Sequence, residues 1–289
     1  MKIQSSYQSS GGKLYLVPTP IGNLDDMTYR AIKVLKEVDF ILAEDTRHSI
    51  HLLNHFEIQT PMHSHHAHSH QSEIERWLEQ LAQGRSIALI SDAGMPLIND
   101  PGHELVQAAI DRDYAVIALP GATAALTALV ASGMMHEHFT YYGFVPRKEG
   151  EREILWQQIA QHQETAILYE SPYRIESVVR SIVQTLGDSV AIVIARELTK
   201  RYETYLRGAA GEVLAYLEAT PIKGEIVLLI DGSTAVQPTV DAMEELSLKD
   251  YVQHLMEEEG LTAKQSIKEV AKRRDVRKQE VYAAYHEIT

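Results

Sequence analysis

The sequence contains no cysteine, which excludes disulfides, thiolate metal sites and cysteine nucleophiles. No apolar run approaches the roughly 18 residues that a membrane-spanning helix needs. Residues 1–12 also lack the basic-then-apolar pattern of a secretory signal. We therefore expect a cytoplasmic protein without a membrane partner. The GxGxxG fingerprint of a dinucleotide site is missing as well.

Basic residues are scarce, because 27 Lys and Arg face 40 Asp and Glu, which gives a net charge of -13. Such a surface argues against a protein that coats nucleic acid, since phosphate contacts need positive charge. One local exception runs from Lys264 to Lys278, directly after an acidic stretch at 241–260. This sign change predicts a small terminal module whose basic part is either a nucleic-acid contact or a solvated helix surface.

Short apolar runs alternate with amphipathic stretches in the first part of the chain, which indicates an α/β fold. The strands are nearly all apolar, as expected for a mostly parallel sheet covered by helices on both faces. The predicted strands are 13–17, 40–43, 87–90 and 115–119, and the predicted helices are 28–38, 47–56, 72–83 and 102–112.

A second α/β set follows, with predicted strands at 140–144, 165–169, 190–195, 204–206 and 225–230 and helices at 152–162, 173–184 and 211–217. The last part of the chain predicts three short helices, with a tight turn at RRDVRK. It is either a helix-turn-helix or a plain three-helix unit. The predicted organisation is a flexible arm at 1–12, α/β domains at 13–124 and 125–231, a linker at 232–240 and a helical module at 241–289.

Two loops after predicted strands contain the residues of greatest chemical interest, Pro18–Asn23 and Ser91–Gly102. Ligands of open α/β sheets bind beyond the carboxyl ends of the strands. Asp92 is expected to bind ribose hydroxyls or a cationic amino group, whereas Asp100 could do the same or could cap the following helix. Both loops could also be no more than tight strand-helix connections.

Other motifs leave two interpretations open. The helix in ALPGATAALTALVASG has small side chains that allow close packing or make room for a flat base. The segments LYESPYRI and IARELTKRYE place acids beside basic residues, as a salt-bridged rim or as a substrate site. Five histidines between His63 and His70 could bind zinc or nickel. Their spacing on a loop is poorly preorganised, so we expect no metal and favour a polar loop near the substrate.

Seven motifs occur in a fixed order: VPTPIGNLDDMTYRAI, AEDTR, ISDAGMPLINDPG, LPGATAALTALVASG, GFVPRK, YESPYRI and RELTKRYE. This order closely resembles the ribosomal RNA small-subunit methyltransferases of the tetrapyrrole methylase superfamily, over about residues 14–230. One loop departs from the family, whose Tyr-His-Glu-His-Asn pattern is replaced by His-His-Ala-His-Ser at 65–69. The missing glutamate and asparagine put a strict catalytic role for this loop in doubt.

The resemblance implies two α/β domains of tetrapyrrole-methylase type with a cofactor cleft between them, plus the helix-turn-helix-like module. It implies S-adenosyl-L-methionine as cofactor, a homodimer, and 2'-O-methylation of a cytidine ribose in the decoding region of 16S rRNA within the small ribosomal subunit. The candidate cofactor contacts are Pro20, Asp92, Gly94, Met95, Thr123, Ala124, Tyr169, Glu225 and Ile226.

Two further sets of residues are expected to act on the RNA. The candidate catalytic acids are Glu44, Asp45 and Glu170, since each lies in a strand-end motif. The candidate RNA-binding residues are Arg47, His66, Arg196, Lys272, Arg273 and Arg274. Two rival functions remain: methylation of a tetrapyrrole carbon, which needs no basic terminal module, and a cofactor-binding regulator that reads DNA.

Overall fold

A computed structural model describes residues 1–6, 11–66, 71–236, 246–258, 261–274 and 276–286. The chain divides into two compact units, Met1–Ala235 and Val236–Thr289. The larger unit contains two five-stranded sheets with their helices, and the smaller unit is helical. Among the described residues, no helix is long and apolar enough to cross a bilayer.

The first sheet consists of parallel strands in the order β3-β2-β4-β1-β5. Its strands are β1 Lys13–Leu16, β2 Phe40–Ala43, β3 Met62–Ser64, β4 Ile87–Ile90 and β5 Ala115–Ala118. The surrounding helices are α1 Tyr29–Glu37, α2 Thr46–His55, α3 Gln71–Ala82 and α4 His103–Asp111. The predicted parallel sheet is confirmed, and all of its strands end at the same edge.

Alternate residues of these strands enter two separate cores, one on each face of the sheet. Ile41 and Ile90 pack with Leu35 of α1 on one face, whereas Leu42 and Leu89 pack with Trp77 and Leu105 of α3 and α4 on the other. Successive side chains of a strand point to opposite faces. Strands buried on both sides must therefore be apolar at every position, which is the pattern in the sequence.

The second sheet is mixed, in the order β6-β7-β10-β8-β9, with only the β6–β7 pair parallel. Its strands are β6 Phe139–Phe144, β7 Thr165–Glu170, β8 Ala191–Arg196, β9 Thr204–Ala209 and β10 Ile226–Asp231. Four helices accompany it: α5 Ala124–Ser132, α6 Glu149–His162, α7 Ile175–Leu186 and α8 Ala210–Ala219. Helix α5 covers one face through Ala125, Ala128 and Leu129. The other three helices cover the opposite face, around Trp156 and Val178.

The smaller unit contains α9 Leu248–Glu258, α10 Ala263–Arg273 and α11 Lys278–His286, packed around Val252, Leu255 and Val270. Helix α10 ends at Arg273 and α11 begins at Lys278, and the tight turn predicted between them stays a prediction. The N–H of Thr262 donates to Gln265 Oε1 at 3.0 Å, which caps the start of α10. Three helices of this length bury one small core, so the unit has a packed interior of its own.

The flexible arm predicted at 1–12 is described only at 1–6 and 11–12, so it stays a prediction. Within it, Lys2 Nζ donates to Ile110 O at 2.8 Å, and Gln4 exchanges hydrogen bonds of 2.9 Å with the backbone of Val116. Strand β3 was not predicted, because Met-His-Ser has no β-branched residue. Residues 237–240 of the predicted linker lie outside the described residues.

Candidate active site

The loops after β1 and β4 are bound to each other through their backbones. Thr19 N donates to Gly94 O at 2.9 Å, and Gly94 N donates to Thr19 O at 3.0 Å. The Thr19 hydroxyl adds a hydrogen bond of 3.1 Å to Ser91 O. A third strand-end loop packs closely here, since a Cβ at Gly121 would lie 2.5 Å from Pro18 Cβ. These contacts fix the three loops relative to one another.

The loop after β4 is strained at several points. Gly94, Leu97, Asn99 and Gly102 all have positive φ, between 68° and 120°. A left-handed conformation costs a non-glycine residue about 1 kcal/mol or more, so surrounding contacts must hold it. One such contact is clear: Tyr141 of β6 donates its hydroxyl proton to Asn99 Oδ1 at 2.6 Å. The loop is thereby attached to the second sheet.

A cleft of about 400 Å³ lies between these loops and the second sheet. Of the predicted cofactor contacts, seven line it: Gly94, Met95, Thr123, Ala124, Tyr169, Glu225 and Ile226. Pro20 and Asp92 do not, although both belong to the loops that frame the cleft. The other lining residues are Ile21, Ala93, Ile98, Asn99, Asp100, Phe144, Glu170, Ser171, Pro172, Leu198, Gly224 and Val227.

Two partly buried tyrosines of the second sheet pack together at the cleft, where Tyr169 is a lining residue. Tyr141 and Tyr169 meet edge to face, with ring centroids 5.2 Å apart. Burial raises the pKa of both phenols, so the hydroxyls remain protonated at neutral pH. Tyr169 also bonds to the backbone of Ala125 in the first turn of α5. Sequence reasoning missed Tyr141 and Asn99, whose pairing spans distant segments.

Asp100 lines the cleft, and the N-cap of helix α4 is Gly102, which has no side chain to form a capping bond. The ligand role and the capping role of Asp100 both stay predictions. Burial raises the pKa of Asp100, and nearby Asp92 raises it further.

The predicted catalytic acids of the AEDTR motif lie beside the cleft rather than on its wall. Asp45 caps α2 and pairs with Arg47, Oδ2 to Nη2 at 2.7 Å. Hydrogen bonds from Arg47 hold the pKa of Asp45 well below its usual range. Glu44 behaves differently, because partial burial, then Asp100 and Asp92, raise its pKa. Exposed His66 lowers that pKa slightly.

Glu170, at the end of β7, is the one predicted catalytic acid on the cleft wall. It is only 4% exposed. Its Oε1 accepts a hydrogen bond of 2.6 Å from Ser171 N. Its Oε2 lies 3.4 Å from Arg174 Nη1, close enough for ionic attraction, yet has no hydrogen-bond donor. Burial raises the pKa of Glu170, although Arg174 and Arg152 oppose that rise.

The RELTKRYE segment forms a salt-bridged rim. Glu197 Oε1 accepts from Glu225 N at 3.0 Å, which lowers the pKa of Glu197. Lys200 Nζ lies 2.7 Å from Glu225 Oε2 and 3.1 Å from Glu197 Oε1. Arg196, predicted to bind RNA, donates to the carbonyls of Lys223 and Tyr202. These bonds order the loops at one end of the cleft.

The histidine loop is only partly described, since residues 67–70 lie outside the described part of the chain. His63 packs against Trp77, with ring centroids 5.1 Å apart. His65 is buried, and burial lowers the pKa of its imidazole. Across the described residues, no group of three or more histidine or acidic side chains has metal-binding geometry.

The basic residues of the helical unit differ in their surroundings. Lys272 is exposed on α10. Arg273 pairs with Glu269 at 3.0 Å, and Arg274 stacks on Tyr251 while donating to Leu246 O at 2.8 Å. Lys264 and Lys268 are exposed at four-residue spacing with Lys272. One face of α10 therefore presents three lysines.

Comparison with known proteins gives the family. Residues 13–214 match the model described as tetrapyrrole (corrin/porphyrin) methylases. The chain belongs to the tetrapyrrole methylases. A ribosomal RNA small subunit methyltransferase I of Streptococcus pyogenes serotype M1 is 47% identical, with 100% of both chains covered. The protein of that name from Bacillus subtilis (strain 168) is 45% identical over 96% of both chains. The resemblance that the motifs indicated is thus confirmed.

Solved structures of other tetrapyrrole methylases share the fold. Cobalt precorrin-4 methyltransferase superposes with a TM-score of 0.58 at 17% identity, covering 78% of this chain and 96% of that one. Uroporphyrin-III C-methyl transferase from Thermus thermophilus, complexed with S-adenosyl homocysteine, gives 0.52 at 20% identity, covering 76% and 98%. At these identities the likeness shows the fold alone.

The raised pKa of Glu170 predicts a pH-dependent effect of Glu170→Gln on stability. In the folded wild type, ionisation of a buried carboxyl is unfavourable, so stability falls as pH rises above the ordinary value of 4.5. Glutamine does not titrate. Urea unfolding at pH 4.5 and pH 7.5 should therefore show Glu170→Gln gaining stability relative to wild type as pH rises.

Glu197→Gln is the matched control, because the pKa of Glu197 is lowered in the folded protein. Its carboxylate stabilises the fold above the ordinary pKa, and this contribution is lost as pH falls below 4.5 towards the lowered folded-state pKa. The variant should therefore be less stable than wild type at pH 7.5, without the gain expected of Glu170→Gln. If the stability difference from wild type changed with pH in the same way in both variants, the assigned surroundings of Glu170 would be contradicted.

Proposed function

We propose that the protein transfers a methyl group from S-adenosyl-L-methionine to the ribose 2'-hydroxyl of a cytidine in the decoding region of 16S rRNA. The observation that carries the proposal is the cleft, which gathers seven of the nine predicted cofactor contacts. The names of the full-length relatives support the choice of small-subunit rRNA as substrate.

The cleft suits a flat, positively charged cofactor. Ile21, Met95 and Ile226 supply apolar surface, which suits an adenine ring. Gly94, with its positive φ, allows close backbone approach. Asp100 and Glu225 add carboxyl groups to the cleft lining, which complement a sulfonium or an amino group. When bound, the cofactor supplies an already activated methyl group.

The acids then have distinct tasks. Glu170 is the proposed proton acceptor for the 2'-hydroxyl, because the residue lines the cleft and its buried Oε2 has no hydrogen-bond donor. Its raised pKa makes it a stronger base than an ordinary carboxylate. Asp100 is proposed to orient the ribose or the cofactor from the opposite wall. Asp45 is a poor base, because its carboxylate is engaged with Arg47.

The remaining proposals concern assembly and location. The protein is proposed to act in the cytoplasm as a homodimer, as the family resemblance implies. Leu126 and Val130 on α5, which are 45% and 80% exposed, offer apolar surface for a second subunit. RNA is proposed to contact the lysine face of α10. It is also proposed to contact Arg47 and His66, which lie near Asp45 and Glu44.

The reaction product tests the proposal. Small ribosomal subunits from cells that lack this protein are incubated with it and methyl-labelled S-adenosyl-L-methionine, and the RNA is digested to nucleosides. We expect the label in 2'-O-methylcytidine. Label in a methylated base, or transfer only to a tetrapyrrole added as an alternative acceptor, would contradict the proposal. Sequence-specific binding to duplex DNA without transfer would support a regulator instead.

Glu170→Gln should slow methyl transfer by about 10²- to 10⁴-fold, the usual effect of removing a general base. Its affinity for the cofactor, measured by calorimetry, should change little. Glu176→Gln is the control, because Glu176 lies on the surface of α7 in an ion pair with Arg180. Full turnover by Glu170→Gln would exclude this acid as the base.

The lysine face of α10 predicts a salt effect. Replacing Lys264, Lys268 and Lys272 with glutamine removes up to three phosphate contacts. The slope of log affinity for small subunits against log salt should then fall by roughly 2 to 3. The control is a double variant, Lys33→Gln with Lys36→Gln, on the exposed side of α1. It should leave the salt slope unchanged. An unchanged slope in the triple variant would mean that this face does not contact RNA.

A further inference from the structure

Two aromatic side chains beside the cleft are unusually exposed. Phe144, the last residue of β6, lines the cleft and is 60% exposed. Tyr173, which follows the lining residues Ser171 and Pro172, is 96% exposed. Neither ring contributes to a core, although rings of this size normally bury much of their surface. Their exposure therefore suggests a ligand rather than a packing role.

The two turns that carry these rings are joined to each other. Arg174, next to Tyr173, donates to Val145 O at 3.3 Å and to Pro146 O at 3.0 Å, in the turn that follows Phe144. Tyr173 N donates to Ser171 Oγ at 3.2 Å, which fixes the second turn locally. Backbone atoms of both turns are thus held in place without any ligand. A rigid pair of turns binds at a lower entropic cost than mobile loops.

The surroundings specify the chemistry of the ligand. Tyr169 meets the Phe144 ring edge to face, with ring centroids 5.7 Å apart, while Phe144 stays largely exposed. Exposed Arg147 follows in the chain and carries a positive charge. Glu170 lines the same cleft, and its buried Oε2 has no donor. A nucleotide offers a group that matches each of these. Its flat base can stack on the aromatic ring, its phosphate can pair with Arg147, and its ribose hydroxyl can donate to Glu170.

We propose that Phe144 and Tyr173 form an aromatic clamp that stacks on an unpaired base of the RNA and presents its ribose to the cleft. The clamp rests on the proposed function, since it supplies the positioning that methyl transfer to a ribose requires. Arg147 contacts the adjacent phosphate. Stacking between a base and an aromatic ring is worth roughly 1–3 kcal/mol per base, and every base has a face that can stack.

The clamp is tested with the full chain and the labelled-methyl assay on small subunits. Phe144→Leu combined with Tyr173→Leu keeps apolar volume but removes the aromatic faces. We expect KM for small subunits to rise at least about tenfold, from the loss of stacking. Phe144→Tyr combined with Tyr173→Phe keeps both aromatic rings, so its KM for small subunits should stay close to that of wild type. Cofactor affinity, measured by calorimetry, should stay within a few-fold of wild type in Tyr173→Leu alone, because Tyr173 does not line the cleft.

The remote control is Tyr216→Leu, which removes an aromatic ring that is 46% exposed on α8; it should behave as wild type. A wild-type KM in the leucine double variant would overturn the clamp. A change in the oligomeric mass of the leucine double variant, measured by sedimentation, would also overturn the clamp. Such a change would mean that the two rings belong to a contact between protein subunits. If the wild-type protein transfers no label to RNA, the proposed function is wrong. If the wild type is active and the leucine double variant has the same KM, only the clamp is wrong.

Discussion

The pair of backbone hydrogen bonds between Thr19 and Gly94 is the constraint on which the site depends. It ties together loops that follow two neighbouring strands of the parallel sheet, and it can form only because those strands end at the same edge. The second loop then continues through left-handed residues to Asn99, where Tyr141 attaches it to the other sheet. The cleft therefore depends on loops that hydrogen-bond to one another. The left-handed residues Leu97 and Asn99 lie between the contact to Thr19 and the contact to Tyr141, which hold the loop in this conformation.

The charges around the cleft divide into two groups. Asp45 and Glu197 are engaged by an arginine and by backbone N–H groups, and their pKa values are lowered. They cap a helix and order a rim. Glu44, Asp100 and Glu170 are placed where burial raises the pKa of each carboxyl. A raised pKa makes a carboxylate a stronger base than an ordinary one, which is why Glu170 is the favoured base.

Local patterns were enough to predict the parallel sheet, because strands buried on both faces must be apolar throughout. They could not reveal that the second sheet is mostly antiparallel, since strand direction depends on how the chain connects the strands in space. The order of motifs led to nine candidate cofactor contacts, and seven of them, including Thr123 and Tyr169, line the cleft. The hydrogen bond between Asn99 and Tyr141 was missed, because it joins residues 42 positions apart. Arg196 was expected to bind RNA, whereas its guanidinium donates to backbone carbonyls of its own rim.

The claim that the cleft binds the cofactor is tested most directly by filling it. Ala124 lies on the cleft wall in the first turn of α5, so Ala124→Trp should occupy space that S-adenosyl-L-methionine needs. Ala219→Trp, at the exposed end of α8, makes the same substitution away from the cleft and controls for effects on folding. Calorimetric titration should show one cofactor site per chain in wild type and in Ala219→Trp, with at least about hundredfold weaker binding in Ala124→Trp, a loss of roughly 2.7 kcal/mol. Equal affinity in all three proteins would place the cofactor elsewhere and contradict the account.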